Sequence, residues 1–178
     1  MPSPELRARL SAVCLVIFDV DGVLTDGSLQ GGDQGGRRWS VADGFASTLA
    51  RQAGLGLALC SGRDHPEIRD RAAALHIGLM RLGRLDKAAA VREILAEAGV
   101  PPGAALFVGD DFMDWPAMAR VGLAAVPADA RPELRERADW VLAAPGGRGA
   151  AREVIEAVLK AKGLWAQVTR PFLEPADA

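Results

Sequence analysis

Short apolar runs alternate with helical patterns along almost the whole chain, and this alternation restricts the folds that the chain can adopt. Runs of four to eight mostly apolar residues are typical of strands buried in a parallel sheet. The predicted strands cover residues 13–20, 55–60, 77–80, 105–108, 123–126 and 140–143. The predicted helices cover 45–53, 66–75, 86–98 and 149–160, with a shorter one around Glu133. Strands that alternate with helices indicate an α/β fold, a Rossmann-like and mainly parallel sheet flanked by helices.

Some residues beside these segments predict where the elements begin and end. Asp64 and Asp86 precede two of the helices and are predicted to cap them. The helix after Asp86 is expected to end at Gly99, before Pro101. The chain of 178 residues fits one domain over 1–178, with a core over about 13–162.

One glycine-rich segment interrupts the alternation. It lies between Gly27 and Asp43 and predicts a β-hairpin over about 28–42, which is too small to form a large cap domain. The tail over 163–178 contains two prolines and only scattered apolar residues. We expect it to be loosely ordered or docked on a neighbouring chain.

Charge and hydropathy argue against nucleic acid and membrane as partners of this chain. The 23 acidic and 21 basic residues give a net charge of −2, which provides no electrostatic argument for binding nucleic acid. The first twelve residues are charged and lack the apolar segment of a signal peptide, and the apolar run 13–18 is far too short to cross a bilayer. We therefore predict a cytoplasmic protein that binds neither nucleic acid nor membrane.

Polar residues follow the predicted strands at the points where ligands bind in open α/β sheets. These residues are Asp19 and Asp21, then Ser61, Gly62 and Arg63, then Lys87 at a helix start, then Gly109, Asp110, Asp111 and Asp114. Each motif alone has an ordinary explanation: an Asp-x-Asp pair is usually a turn, and a lysine at a helix start is usually solvated. Their convergence at one edge of a sheet argues against coincidence.

The chemistry of these residues is consistent with phosphoryl transfer. One carboxylate can attack phosphorus, and a second carboxyl group can protonate the leaving oxygen and then activate water. Carboxylates without a nearby His or Cys suit Mg²⁺, while a lysine and a serine hydroxyl can hold phosphoryl oxygens.

The first motif, DVDGVLTDG from Asp19 to Gly27, resembles that of the haloacid dehalogenase-like hydrolases. Ser61, Lys87 and Gly109-Asp110-Asp111 resemble the second, third and fourth motifs, in the same order. Asp43-Gly44, Ser61-Gly62-Arg63, VGDDFMDWP from Val108 to Pro116 and GGRGAAREV from Gly146 to Val154 resemble, more narrowly, the 3-deoxy-D-manno-octulosonate 8-phosphate phosphatases, a subfamily without a large cap.

This resemblance implies a role for each site residue. Asp19 would be the nucleophile and Asp21 the acid/base, and Mg²⁺ would bind Asp19, the main-chain carbonyl of Asp21, and Asp110. Asp111 and Asp114 would orient the metal ligands. Ser61, the Gly62 amide and Lys87 would hold the phosphate, with Arg63 and Arg148 facing the sugar acid. The resemblance further implies a homotetramer, and a place in synthesis of the lipopolysaccharide inner core.

The chain departs from the subfamily in two places. Residues 33–38 read DQGGRR, where the hairpin usually carries acids and a lysine, and Ala42 stands where arginine is common. A phosphatase of nine-carbon sugar acids or of sugar phosphates more broadly is therefore an alternative. A phosphotransferase or mutase, a phospho-accepting receiver module and a non-catalytic assembly protein are more distant alternatives.

Overall fold

The computed structural model describes residues 3–31 and 36–174. The helices are α1 (Pro4–Ser11), α2 (Val41–Gln52), α3 (Pro66–Ala74), α4 (Lys87–Ala98), α5 (Trp115–Met118), α6 (Pro132–Arg135), α7 (Ala150–Ala161) and α8 (Trp165–Leu173). The strands are β1 (Leu15–Phe18), β2 (Gly56–Cys60), β3 (Leu79–Arg81), β4 (Ala105–Val108), β5 (Leu123–Val126) and β6 (Trp140–Val141). No helix in the described ranges has the length and apolarity needed to cross a membrane.

The six strands form one sheet in the order β3-β2-β1-β4-β5-β6. Each neighbouring pair is parallel, and β1 lies between β2 and β4, with Leu15 opposite Gly56 on one side and Ala105 on the other. The predicted α/β fold with a parallel sheet is confirmed. Since β2, β1 and β4 are neighbours, the loops that leave their carboxyl ends meet at one edge of the sheet.

Both faces of the central strands are buried, which explains their continuous apolar sequences. In β1, Val16 and Phe18 face one core cluster, formed with α1, α2 and α7, while Leu15 and Ile17 face a second cluster, formed with α4. A strand covered on both faces needs an apolar side chain at every position.

Two of the predicted helix boundaries show how local caps operate. Asp86 caps α4 as predicted, because its carboxylate accepts a hydrogen bond from the Ala89 amide. The predicted cap of α3 at Asp64 is wrong by one residue, since His65 Nδ1 accepts from the Glu67 amide. Asp64 instead pairs with Arg69.

The glycine-rich segment is less regular than predicted. Between Gln30 and Gly36 it forms one isolated antiparallel bridge, and its tip at residues 32–35 lies outside the described residues. After the bridge, the Arg37 amide donates to the Glu67 carboxylate instead of to a partner strand. The segment thus leaves hairpin geometry and turns towards α3.

Helices α1, α5 and α8 occupy regions for which no helix was predicted: the start of the chain, residues 115–118 and part of the tail. Ser3 caps α1, which buries Leu10. Residues 165–173 form α8 instead of a loose tail; Val168 is buried, and Phe172 meets Phe45 edge to face at 5.1 Å. Residues 175–178 lie outside the described residues.

Candidate active site

A cavity of about 490 Å³ lies where β1, β2 and β4 end. It is lined by Asp19, Asp21, Ser61, Gly62, Arg63, Leu85, Lys87, Asp110, Asp111, Met113 and Asp114. The sheet therefore brings together nearly all of the site residues predicted from the sequence. Their side chains are mostly charged, so the cavity suits a polar ligand.

Lys87 is the centre of a buried charge cluster at the base of the cavity. Its Nζ lies 2.5 Å from Oδ1 of Asp19 and 2.5 Å from Oδ1 of Asp114. The position of Lys87 at the start of α4 lets it reach the end of β1. Burial alone would lower the pKa of Lys87, but the charges of Asp19 and Asp114 outweigh it and raise this pKa, so the ammonium stays charged.

Asp114 holds the loop that follows β4. Its Oδ2 accepts hydrogen bonds from the amides of Asp110 at 2.9 Å and Asp111 at 3.2 Å, while its Oδ1 binds Lys87. A Cβ at Gly109 would lie only 2.4 Å from the Asp114 Cβ, so glycine is required for this turn. The carboxylate of Asp114 thereby fixes the position of Asp110 relative to Asp19.

Three carboxylates in the cavity could hold a metal ion. Asp19, Asp110 and Asp114 each offer one oxygen atom within 4.8 Å of the others. Asp114, predicted only to orient the ligands, thus lies within the cluster itself, whereas Asp111 lies further out, with Oδ1 3.7 Å from Arg131 Nε. The predicted contribution of the Asp21 carbonyl stays a prediction.

The charge of this cluster also fits a divalent cation. When all three carboxylates are ionised, they and the one ammonium leave two negative charges unbalanced. Burial, with repulsion from Asp114, raises the pKa of Asp19 to about 8 against the attraction of Lys87. Burial and the charges of Asp114 and Asp111 likewise raise the pKa of Asp110 to about 7. A hard cation such as Mg²⁺, which prefers oxygen ligands, would balance both charges.

The Asp21 carboxylate occupies a different part of the cavity wall, beside two arginines. Its Oδ1 accepts from Arg37 Nε at 2.6 Å and its Oδ2 from Arg37 Nη2 at 3.1 Å. Arg63 Nε lies 3.6 Å from Oδ2. The next residue, Gly22, has φ of +100°, and a Cβ there would lie 2.1 Å from Asp110 Oδ2. The chain bends at Gly22, which lets Asp19 and Asp21 serve separate roles.

The loop after β2 forms the opposite wall. The Ser61 main chain is held by Arg81 O and the Arg84 amide, and its Oγ accepts from the Arg63 amide at 3.1 Å. A Cβ at Gly62 would meet its nearest atoms, in Met113 and Leu85, at 3.7 and 3.8 Å. The fold itself therefore leaves room at Gly62, on the side that faces the cavity.

No protein-family model matches the chain. Among curated proteins, the 3-deoxy-D-manno-octulosonate 8-phosphate phosphatase of Salmonella typhimurium is 38% identical over 163 residues, which cover 90% of this chain and 87% of the relative. The chain belongs to this phosphatase family.

Solved structures of the 3-deoxy-D-manno-octulosonate 8-phosphate phosphatase family share the fold. The cobalt-bound Haemophilus influenzae protein is 38% identical with a TM-score of 0.87, covering 93% of this chain and 99% of that one. The Moraxella catarrhalis phosphatase was solved in complex with a magnesium ion, a phosphate ion and KDO. It is 28% identical with a TM-score of 0.91, and the match covers 96% of this chain and 99% of that one.

The GGRGA segment that resembles this phosphatase family packs behind the cavity. A Cβ at Gly146 would lie 2.0 Å from the Gly22 carbonyl oxygen, and one at Gly147 would lie 2.4 Å from the Thr25 carbonyl carbon. The glycine pair therefore lets this loop press against the first motif. Arg148 is exposed and is not among the described residues that line the cavity, so its predicted substrate contact stays a prediction.

The sequence assigns no structural role to three residues that organise the site of this phosphatase family member, although Asp43 belongs to one of the stretches that carry the family resemblance. Arg37 was noted only as a departure in the hairpin, yet it binds Asp21. Glu67 accepts from the Arg37 amide and from Trp39 Nε1. Asp43, in α2, accepts from the amides of Gly149 and Arg152 at the start of α7. No local sequence pattern indicates these pairings, which join residues 16 to 109 positions apart.

Proposed function

We propose that this chain is a magnesium-dependent phosphatase that hydrolyses 3-deoxy-D-manno-octulosonate 8-phosphate to the free sugar acid and inorganic phosphate. The observation that carries the proposal is the buried Asp19–Lys87–Asp114 cluster beside Asp110 and Asp21, at the edge of the sheet where β1, β2 and β4 end. The arrangement combines a nucleophile, a second carboxyl group and a place for a cation in one cavity.

In the first half of the reaction, an oxygen of Asp19 attacks the phosphorus atom. The bond from phosphorus to the sugar oxygen breaks, and an aspartyl phosphate forms on Asp19. Asp21 donates a proton to the leaving sugar oxygen, so that an alcohol leaves in place of an alkoxide. Lys87 keeps Asp19 oriented through its hydrogen bond and is placed to neutralise phosphoryl charge.

In the second half, Asp21 takes a proton from water, and the resulting nucleophile attacks the aspartyl phosphate. The bond from phosphorus to the Asp19 oxygen breaks, which regenerates Asp19 and releases phosphate. A bound Mg²⁺, held by Asp19, the Asp21 carbonyl and Asp110, with Asp111 and Asp114 supporting, would offset the repulsion between Asp19 and the phosphate dianion.

The loop after β2 is proposed to bind the substrate. Ser61, the Gly62 amide and Lys87 would hold the phosphoryl oxygens. The open space beside Gly62 would let a phosphate approach its amide. Arg63 is half exposed at the cavity and would meet the carboxylate of the sugar acid. Arg148 remains a proposed substrate contact, although it lies outside the described lining of the cavity within one chain.

We also propose a cytoplasmic homotetramer that acts in synthesis of the lipopolysaccharide inner core. Several large apolar side chains are exposed on one chain, which supports burial in an assembly. They are Val41, Phe45, Phe172 and Leu173 on α2 and α8, Leu85 and Met113 in the cavity lining, and Phe112 next to Met113 in the chain. Light scattering of the purified protein is expected to give the mass of four chains. A mass of one chain across micromolar concentrations would exclude this assembly.

Phosphate release by the purified protein with Mg²⁺ tests the function. The panel contains 3-deoxy-D-manno-octulosonate 8-phosphate, a nine-carbon sugar acid 9-phosphate and simple hexose phosphates, with Asp19→Asn as the blank. We expect strong preference for the eight-carbon substrate. Preference for the nine-carbon substrate, or broad and weak activity, would retain phosphatase chemistry and reject the substrate. Transfer to an added sugar that exceeds hydrolysis would reject the hydrolase.

A further inference from the structure

Arg37 is a buried arginine that none of the predicted roles includes. Its side chain has no solvent exposure, and its guanidinium forms two hydrogen bonds to the two oxygens of Asp21, at 2.6 and 3.1 Å. A fork of this kind fixes the plane and the direction of a carboxylate, which a single hydrogen bond does not. Asp21 itself retains a partly exposed side chain at the cavity wall.

A second set of contacts anchors Arg37 from behind. The Arg37 amide donates to both carboxylate oxygens of Glu67, at 3.0 and 3.2 Å, and Trp39 Nε1 donates to Glu67 Oε1 at 2.9 Å. Glu67 lies in the first turn of α3, a short distance along the chain from the Ser61–Arg63 loop. The guanidinium of Arg71 lies 5.6 Å from the centre of the Trp39 ring. Arg37 is therefore held at its main chain as well as at its guanidinium.

We propose that Arg37 is a positioning residue that acts through Asp21, an inference that rests on the phosphatase function proposed above. Arg37 holds the Asp21 carboxyl group in the orientation required for its two proton transfers, and Glu67 holds Arg37. The segment 36–39 thus supports the catalytic machinery through its contact with Asp21.

The chemistry of Asp21 explains why its orientation matters. In one turnover its carboxyl group meets the leaving sugar oxygen and then a water molecule, and both transfers require hydrogen-bond geometry. When Asp21 carries the proton on one oxygen, the other oxygen can still accept from Arg37. Small displacements of a catalytic group can reduce the rate by about 100-fold. Loss of Arg37 should therefore slow proton transfer and leave substrate binding largely unchanged.

The test compares Arg37→Met, Arg37→Lys and the control Arg38→Met in the active holoenzyme. We expect Arg37→Met to lower kcat for the preferred sugar acid phosphate by about 10- to 100-fold, with KM changed less than about threefold. Arg37→Lys, which keeps the charge but loses the planar fork, should recover part of the activity. Arg38 is exposed and belongs to the same segment, so Arg38→Met should behave as the wild type.

Single-turnover assays separate a role through Asp21 from general disruption. Release of 4-nitrophenol from 4-nitrophenyl phosphate requires little acid assistance, so Arg37→Met should slow it much less than release of the sugar. In an Asp21→Asn background, Arg37→Met should have no further effect on 4-nitrophenol release, because the group that it positions is gone. Equal losses with both substrates, or equal losses with and without Asp21, would assign Arg37 a purely structural role.

Two further measurements keep the inference separable from folding and from the proposed function. Thermal unfolding of each variant reports loss of structure. Glu67→Ala removes both acceptor oxygens of the rear anchor without touching Asp21, and it should lower kcat in the same direction as Arg37→Met but by less. An active wild type with an unaffected Arg37→Met would overturn this inference alone. A wild type without phosphatase activity would overturn the proposed function.

Discussion

At the scale of single residues, Lys87 determines whether the acidic cluster can exist inside the fold. Its ammonium is the positive group in hydrogen-bond contact with both Asp19 and Asp114, and all three side chains are buried. Removing one partner of a buried ion pair leaves a charge without compensation, which costs about 3–5 kcal/mol. The same lysine is proposed to contact phosphate, so its loss should affect stability and activity together.

We therefore expect Lys87→Met to lower the free energy of unfolding of the metal-free protein by about 3 kcal/mol or more and to abolish hydrolysis. Denaturant unfolding in EDTA measures the first effect. Lys160→Met is the matched control, because Lys160 is exposed and pairs with Glu156 at the surface, where an ion pair contributes about 1 kcal/mol or less. A Lys87→Met protein as stable as this control would show that the cluster does not depend on the ammonium.

Substitution by alanine is expected to have different effects on stability at Gly22 and at Gly62. Gly22→Ala places a Cβ 2.1 Å from Asp110 Oδ2 in a backbone with φ of +100°, so we expect a loss of about 2 kcal/mol or more in stability and weaker metal binding. Gly62→Ala meets only ordinary contacts and should unfold as the wild type does, yet raise KM if phosphate approaches the Gly62 amide. Thermal unfolding and KM of both variants provide the check; a stable Gly22→Ala would contradict the geometry.

At the scale of elements, Asp43 joins α2 to the start of α7. It lies 4% exposed within α2, and its two oxygens accept from the amides of Gly149 and Arg152 at 3.2 and 2.8 Å. These amides belong to the helix start, where main-chain donors lack partners within the helix. Asp43 therefore caps a helix from a distant element and holds the GGRGA loop against the first motif.

Asp43→Ala is expected to lower the free energy of unfolding by about 1–2 kcal/mol, the usual cost of losing a helix cap. Asp70→Ala removes an exposed carboxylate from α3 and serves as the matched control. Denaturant unfolding of both variants provides the comparison. Equal stability of the two would show that other contacts fix the start of α7.

A comparison of the helices shows which local sequence signals were sufficient to predict where a helix begins and ends. Asp86 and Gly99 bound α4 as predicted, because a cap and a left-handed glycine act within a few residues of the helix end. Helix α1 was missed because it is short and offers little amphipathic pattern, with Leu10 its one buried residue among those described. In α8 the sequence did contain a helical signal, because Trp165, Val168 and Phe172 recur at helical spacing and form the face that packs against α7 and α2.

At the scale of the whole molecule, the sheet explains both the success and the limit of the sequence prediction. The site residues at strand ends could be predicted because parallel strands deliver their carboxyl ends to one edge. Arg37 could not, because its position depends on a segment that abandons strand pairing and binds Glu67. Arg148 follows the motif of the family, yet its loop packs behind the cavity within one chain.

The acidic cluster makes the stability of the whole fold depend on pH and on metal. The pKa of Asp19 is raised from 3.8 to about 8 and that of Asp110 to about 7, chiefly by burial. Between pH 4 and 8 the folded protein thus binds more protons than the unfolded chain, so stability falls as pH rises through this window. The lowered pKa values of surface carboxylates such as Glu93, held down by Arg84 and Arg81, affect stability only below about pH 5.

We accordingly expect the Tm of the metal-free protein to decrease from pH 5 to pH 8 in EDTA. Mg²⁺ should raise the Tm at every pH and raise it most at pH 8, since the cation binds the ionised carboxylates and competes with protons. Asp110→Asn, which removes one of the shifted groups, should flatten the pH dependence and reduce the effect of Mg²⁺. A Tm that rises from pH 5 to 8 without metal would mean that Lys87 alone balances the negative charge of the cluster. The charge of the cluster would then give no reason to expect a divalent cation.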